Sequence, residues 1–152
     1  MKNQSIKTQL LQLCNQSLDT RLQSVLAVIE DIKQSLQSET KSSAGDKHET
    51  GRAMLQLERE KAGHQLAEIE KTKQILSKIN AETTSKNIGL GSVVFTSQSN
   101  YFISISAGEL KVGGDTFYAI SASTPIGQLL LGKSVGDEVV FRNMTFKIVA
   151  IL

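Results

Sequence analysis

The feature of this 152-residue sequence that most constrains its fold is a run of apolar residues at heptad spacing near the amino terminus. Six aliphatic residues follow one another at steps of four, three, four, three and four: Leu18, Leu22, Val25, Ile29, Ile32 and Leu36. Gln, Ser, Asp, Arg and Lys occupy positions between them. This seam predicts a coiled-coil helix over about 6–36, rather than a helix with one broad apolar face.

A second helical pattern follows a short break of small residues at 41–45. In it, four apolar residues recur at intervals of seven: Leu55, Ala62, Ile69 and Leu76. Gly51 and Gly63 weaken this helix, predicted over about 49–79, by ~1 kcal/mol each relative to Ala. Because the break is short, we expect the two helices to form an antiparallel hairpin that projects roughly 45 Å.

The aromatic residues divide the chain into two unlike parts. All seven lie between Phe95 and Phe146, so the first 94 residues contain none. Aromatic rings usually supply much of a globular core. We therefore predict a hairpin over 1–80 with its tip at 41–49, a linker over 81–91, and a separate domain over 92–152.

The second part has the pattern of a small antiparallel sheet with one short helix, which makes the whole chain an α+β protein. Strands are predicted at 92–96, 100–106, 116–121, 138–141 and 145–151. A turn at Gly113-Gly114-Asp115 precedes the third of them. Thr124 is placed to cap a helix over 126–131 that begins after Pro125 and stops at Gly132.

Charge and cysteine content exclude several classes of protein. Residues 1–85 carry 12 Lys and Arg against 11 Asp and Glu, and residues 86–152 carry 5 against 4. Without a basic cluster, direct binding to DNA is disfavoured. The lone Cys14 cannot form an internal disulfide, and no apolar run matches a signal peptide or a membrane span. We therefore expect a soluble, cytoplasmic protein with no membrane partner.

Two segments resemble one known family. The run from Ser123 to Val139 reads Ser-Thr-Pro-Ile-Gly-Gln-Leu-Leu-Leu-Gly-Lys-Ser-Val-Gly-Asp-Glu-Val. It resembles the Ser-Pro-[Ile/Leu]-[Gly/Ala]-x-Ala-Leu-x-Gly-Lys-x-x-Gly-Asp pattern of the Gre transcript cleavage factors of bacterial RNA polymerase. The tip Gly45-Asp46-Lys47-His48-Glu49 resembles that family's Gly-Asp-x-x-Glu tip, and hairpin first, sheet second is also the family's order.

The resemblance implies both a fold and a mode of action. The sheet domain would be similar to the prolyl isomerases that bind FK506, and would dock at the rim of the polymerase's secondary channel. The hairpin would reach the active centre, where Asp46 and Glu49 would assist catalysis by helping to hold a second Mg²⁺. The polymerase would then hydrolyse the backtracked RNA, whose 3′ end the factor contacts indirectly. Such a factor is not itself an enzyme.

The chemistry of the tip is consistent with this role and also with a purely structural role as a helix cap. Mg²⁺ is commonly held by one or two carboxylates together with phosphate and water, and two residues three apart on a helix can share a side. Asp46 and Glu49 also match a capping box, in which both carboxylates bind backbone amides. The family usually continues with Asn-x-Glu-Tyr, where this chain has Thr50-Gly51-Arg52-Ala53. Arg52 could pair with Glu49 and compete with a metal ion.

Three other functions remain open from the sequence. With an altered tip, the chain could be a secondary-channel regulator that inhibits without cleavage. It could instead be a coiled-coil adaptor that does not contact polymerase. The third alternative is a prolyl isomerase, but that activity would need a deep aromatic pocket, and the chain has no Trp.

Cys14 on the first helix is expected to be a buried thiol rather than a nucleophile, with neither His48 nor His64 placed as its base.

Overall fold

The computed structural model describes the backbone of residues 2–41 and 45–152 and the side chains of residues 6–38 and 50–152. Two long helices are followed by four strands, a short helix and two further strands. Their bounds are α1 Lys2–Lys41, α2 Gly45–Ser77, β1 Val93–Thr96, β2 Asn100–Ser104, β3 Gly108–Val112, β4 Asp115–Ser121, α3 Pro125–Leu130, β5 Glu138–Phe141 and β6 Met144–Ile151. The predicted α+β fold, a helical hairpin followed by a small sheet with one short helix, is confirmed.

The chain packs as two compact units. The hairpin unit comprises residues 18–72, and the sheet unit comprises residues 1–17 together with 73–152. Both long helices therefore contribute one part to each unit. Residues 78–92, which connect α2 to β1, contain neither helix nor strand.

In the hairpin unit, the predicted seam of α1 is shielded from water. Leu18 and Ile32 are buried, and the other four seam residues are half-buried. On α2, Ala62 and Ile69 are buried. The heptad pattern thus identified correctly which stripe of each helix faces the other.

The two helices run antiparallel, as predicted. Thr20 of α1 and Thr72 of α2 line one groove, whereas Val28 and Ala62 line a hollow farther along. Residue numbers therefore rise along α1 as they fall along α2.

The six strands form one sheet in the order β3-β4-β2-β1-β6-β5. Across residues 93–151, all of which the structure describes, four neighbouring pairs are antiparallel and the pair β2–β4 is parallel. The prediction of an antiparallel sheet is therefore correct for every pair except β2–β4. The parallel pair arises because the β3–β4 hairpin folds back beside β2, so that β4 rather than β3 is its neighbour.

One face of the sheet packs around α3. Its core consists of aliphatic residues and one aromatic residue, Ile88, Val94, Ile103, Leu130, Val139, Phe146 and Ile148. Tyr101 packs against this core, with its ring centroid 6.5 Å from that of Phe146. The short helix therefore covers the sheet from this side.

The beginning of α1 packs on the opposite face. Cys14 is fully buried with its Sγ 3.7 Å from the Oγ of Ser104 in β2. Lys7 is also buried, and its Nζ donates a 2.5 Å hydrogen bond to the carbonyl of Thr83. Residues predicted only as hairpin sequence thus also serve as a cover for the sheet.

Strand β3 was absent from the sequence prediction. It is short, begins with Gly108 and carries Glu109 and Lys111 on its exposed side, while Leu110 and Val112 are buried. Five residues of alternating polarity are a weak signal, and pairing with β4 stabilises the strand.

None of the helices in the described part of the chain has the length and apolar character needed to cross a membrane.

Candidate functional site

The predicted tip residues lie at the beginning of α2. The helix starts at Gly45, which puts the backbone of Asp46 in its first turn and that of Glu49 at the start of the second. Backbone amides in a first helical turn have no partner within the helix. The side chains of Asp46, His48 and Glu49 lie outside the described residues, so their roles as metal ligands or as a capping box remain predictions.

The residues that follow the tip continue the helix. Thr50-Gly51-Arg52-Ala53 is helical throughout, with Arg52 half-buried. Arg52 lies three residues after Glu49, the spacing at which side chains on a helix are neighbours. Among the side chains that the structure describes, no cluster of three His, Cys, Asp or Glu could hold a metal ion.

Cys14 has the environment of an inert structural thiol. Burial raises its pKa, and the neighbouring Ser104 hydroxyl opposes that shift only in part. Since the thiolate is the reactive form, a raised pKa lowers reactivity. The prediction that Cys14 is buried is confirmed.

The run from Ser123 to Val139 is built around a capped helix. The Thr124 Oγ1 accepts a 3.1 Å hydrogen bond from the amide of Gly127 and donates a 2.7 Å bond to the carbonyl of Ser121. Pro125 occupies the first turn of α3. The predicted N-cap is confirmed, and it joins the helix to the end of β4.

Gly127 is required by close packing. A Cβ at this position would lie 2.4 Å from the carbonyl oxygen of Ser121, which is a backbone atom. Gly132 and Gly136 have positive φ angles of 81° and 94°, as turns and helix ends favour. These glycines therefore have structural duties, as the sequence indicated.

Other residues of the same run have no role in the core. Leu129 and Leu131 are each 40% exposed and Val135 is 58% exposed. Pro125 and Gln128 are also exposed. We call these five residues the α3 surface. Leu130 and Val139, by contrast, are buried within the core.

A second apolar surface was missed by the sequence analysis. Val140 of β5 and Met144 and Val149 of β6 are each more than half exposed. The alternation of β6, in which Phe146 and Ile148 are buried and Lys147 is exposed, was the signal that separates its two sides.

Another hollow in the sheet unit is lined by both polar and apolar residues. Its walls come from the segment before β1 and the turn after α3, namely Thr84, Ser85, Lys86, Ser134, Val135 and Ile151. None of these is aromatic. Phe102, Phe117 and Phe146 are instead buried in the core.

Comparison with known proteins finds similarity to solved structures and no sequence match. No family model matches the chain, and no curated protein matches it. A solved structure of the transcription factor Gfh1 is similar at 23% sequence identity. The alignment covers 88% of this chain and 90% of that one, with a TM-score of 0.34.

Proposed function

We propose that this chain is a Gre-like transcription factor that binds RNA polymerase through the sheet unit and inserts the hairpin unit into the secondary channel. Asp46 and Glu49 assist cleavage of backtracked RNA there, and the polymerase supplies the hydrolytic centre. The proposal is carried by the run from Ser123 to Val139, in which the resemblance to the Gre pattern is strongest.

The structure of that run separates packing from recognition. Thr124, Gly127 and Leu130 are accounted for by the cap, the close approach to β4 and the core. The α3 surface is not accounted for by packing. Exposed apolar residues on an ordered element favour a protein partner. We assign the α3 surface to polymerase docking.

The long helices support insertion. From Gly45 to Ser77, α2 has 33 residues, which at ~1.5 Å per residue extends roughly 50 Å. Two helices packed through Leu, Ile, Val and Ala remain narrow because no ring widens the seam. A narrow helical pair suits a channel that a globular domain cannot enter.

The donor chemistry of the tip fits Mg²⁺. Asp46 and Glu49 offer carboxylate oxygens, which are the hard ligands that this ion prefers. Two carboxylates provide only part of a coordination shell, so binding in the free protein is weak. Bound beside the polymerase's own metal, a second Mg²⁺ would help to activate water and to stabilise the leaving oxygen.

The test is RNA cleavage by stalled, backtracked polymerase. Addition of the chain is expected to shorten the RNA from its 3′ end. Asp46→Asn and Glu49→Gln should each lower the cleavage rate at least about tenfold, as expected when a ligand to a catalytic metal is removed. Glu70→Gln, on an exposed position of α2, is the matched control and should cleave normally.

Binding is measured separately from cleavage. Leu129→Asp should weaken polymerase binding, because it puts a charge on the α3 surface without touching the core. Lys111→Asp on β3 is the control. If polymerase binds the chain with equal affinity before and after Leu129→Asp, the docking assignment is wrong. If no binding occurs at all, the proposed function is wrong.

Arg52 favours a second candidate, a channel-inserting regulator that does not cleave RNA. Its position three residues after Glu49 allows a cation to take the place of the metal. In that case the chain would inhibit nucleotide addition without shortening RNA. Arg52→Asn should then lower the inhibition or restore cleavage, and a synthesis assay at varied nucleotide concentration distinguishes the two.

A further inference from the structure

One flank of the hairpin unit carries an open groove between α1 and α2, with a volume of about 850 Å³. Its apolar lining includes Val25, Leu57 and Ile69. Charged residues of both signs also line it, with Arg21 on α1 and Glu60, Lys61 and Glu68 on α2. An apolar groove with charged sides is the form of surface that another helix fills.

This flank also exposes apolar side chains that the seam does not bury. Leu57 is 66% exposed and Met54 is 60% exposed. Val28 is 48% exposed and lines an adjoining hollow with Lys61 and Gln65. Met54, Leu57 and Lys61 follow one another at steps of three and four, so they share one side of α2.

Four of the α2 residues that line the groove are spaced symmetrically about a midpoint. Leu57, Lys61, Glu68 and Thr72 are separated by four, seven and four residues, with the midpoint between His64 and Gln65. A second copy of α2, antiparallel about that midpoint, places its Glu68 opposite Lys61. By the same symmetry, Lys61 of the second copy lies opposite Glu68. Each charge therefore meets the opposite charge, twice per pair of molecules.

Helix α1 adds another matched contact in the same register. Thr20 and Thr72 line the groove together, so Arg21 lies near the level of residues 70–72 of α2. In the antiparallel register, residues 57–59 of the second copy reach that level. Glu60 of the second copy lies one residue beyond this range, so Arg21 comes within about one helical turn of it. Like charges do not face each other in either contact.

We propose that this groove is a self-association surface whose occupant is the same groove flank of a second copy of the chain. The product is a two-fold four-helix bundle with α2 antiparallel to α2 at its centre, a common packing for helical pairs. Leu57 and Met54 lose exposure on association, which supplies the apolar part of the contact. Lys61 and Glu68 set the register, since other alignments separate or repel them.

The dimer would also affect entry of the hairpin into the polymerase channel, and this one point rests on the proposed function. Each helix with its side chains is about 10 Å across, so four are much wider than two. The hairpin cannot then be in the bundle and in a narrow channel together. Self-association therefore keeps the hairpin out of polymerase until the free concentration falls.

The experiment is sedimentation velocity of the full chain with charge-reversed variants. The wild-type chain should show a monomer–dimer equilibrium in the micromolar range, about that of modest interfaces. Lys61→Glu alone and Glu68→Lys alone should each raise the dissociation constant about tenfold or more, because both contacts become repulsive. Mixed together, the two variants should associate again, because both contacts regain unlike charges. Glu70→Lys, away from the groove lining, is the matched control and should dimerise normally.

Crosslinking tests the register independently. In a Cys14→Ser background, Gln65→Cys lies beside the two-fold axis and should be joined between molecules by a short bismaleimide. Glu70→Cys should not be joined. A wild-type chain that stays monomeric to ~100 µM, a mixture that does not associate, or equal crosslinking at both positions would overturn the proposal. Should one charge variant lose helicity, the crosslink pair still decides it, and the polymerase assays report separately on the proposed function.

Discussion

The sheet unit and the hairpin unit bury their apolar residues to different extents. In the sheet unit, Phe102, Ile103 and Phe117 have no exposed surface. In the hairpin unit, only two of the six seam residues of α1, Leu18 and Ile32, are buried. A sheet with helices on both faces can enclose its core, whereas two helices alone shield only the stripe between them. The hairpin unit therefore keeps apolar surface available for partners.

The largest expected effect falls on the enclosed core. Phe102→Ala should lower the free energy of unfolding by about 3–5 kcal/mol, since a fully buried ring is replaced by a cavity. Urea unfolding measures the total loss, and hydrogen exchange locates it in β1, β2 and β4. Equal loss of protection across residues 18–72 would show that the two units are not separately stable.

A smaller effect is expected where α3 meets β4. Gly127→Ala should lower the free energy of unfolding by about 1–3 kcal/mol, because the added Cβ meets the Ser121 carbonyl at 2.4 Å. Gly89→Ala is the matched control, because no heavy atom lies within 4 Å of a Cβ there. If both substitutions have the same effect in thermal unfolding, close packing is not the reason for glycine at 127.

Substitution in the hairpin seam should have a milder effect than in the sheet core. Ile29 is half-buried, so Ile29→Ala should remove about 1 kcal/mol. Hydrogen exchange should speed up within residues 18–72 and stay unchanged in the strands. A loss as large as that of Phe102→Ala would mean that the seam is as enclosed as the sheet core, and would remove the contrast between the units.

The smallest effect concerns pH and the buried Lys7. Burial lowers the pKa of Lys7 below its ordinary value of 10.5. Between the lowered pKa and 10.5, the unfolded chain binds more protons than the folded chain, so the free energy of unfolding rises with pH. Lys7→Met should flatten that rise in urea titrations, while the exposed Lys33→Met should keep it. A rise that persists in Lys7→Met would place its origin in another group.

Much of the fold could be predicted because the signals were local. The 4-3-4-3-4 spacing predicted the buried stripe of α1, and Thr124 with Pro125 predicted the start of α3. Strand β3 escaped prediction because its five residues carry two charges and depend on pairing with β4. The parallel pairing of β2 with β4 also escaped, since the residues of the two strands do not specify which neighbour each will take.

The candidate site could be predicted only in part, again because the sequence signals are local. The α3 surface follows from a sequence pattern, but which of its residues are exposed depends on the packing of Gly127 and Leu130. The tip carboxylates are a prediction from the pattern alone. The groove on the hairpin flank was not predicted, because heptad spacing describes what two helices share and not what they leave open.

By itself, the sequence determined two long antiparallel helices, a following sheet region with one capped helix, and the position of the aromatic residues within it. These depend on periodicity and on the backbone preferences of neighbouring residues. Only the tertiary structure decided that the beginning of α1 packs on the sheet, placing Cys14 against Ser104 and Lys7 against Thr83. Such contacts join residues about 76 to 90 positions apart, and their energy comes from shared burial, which no local pattern records.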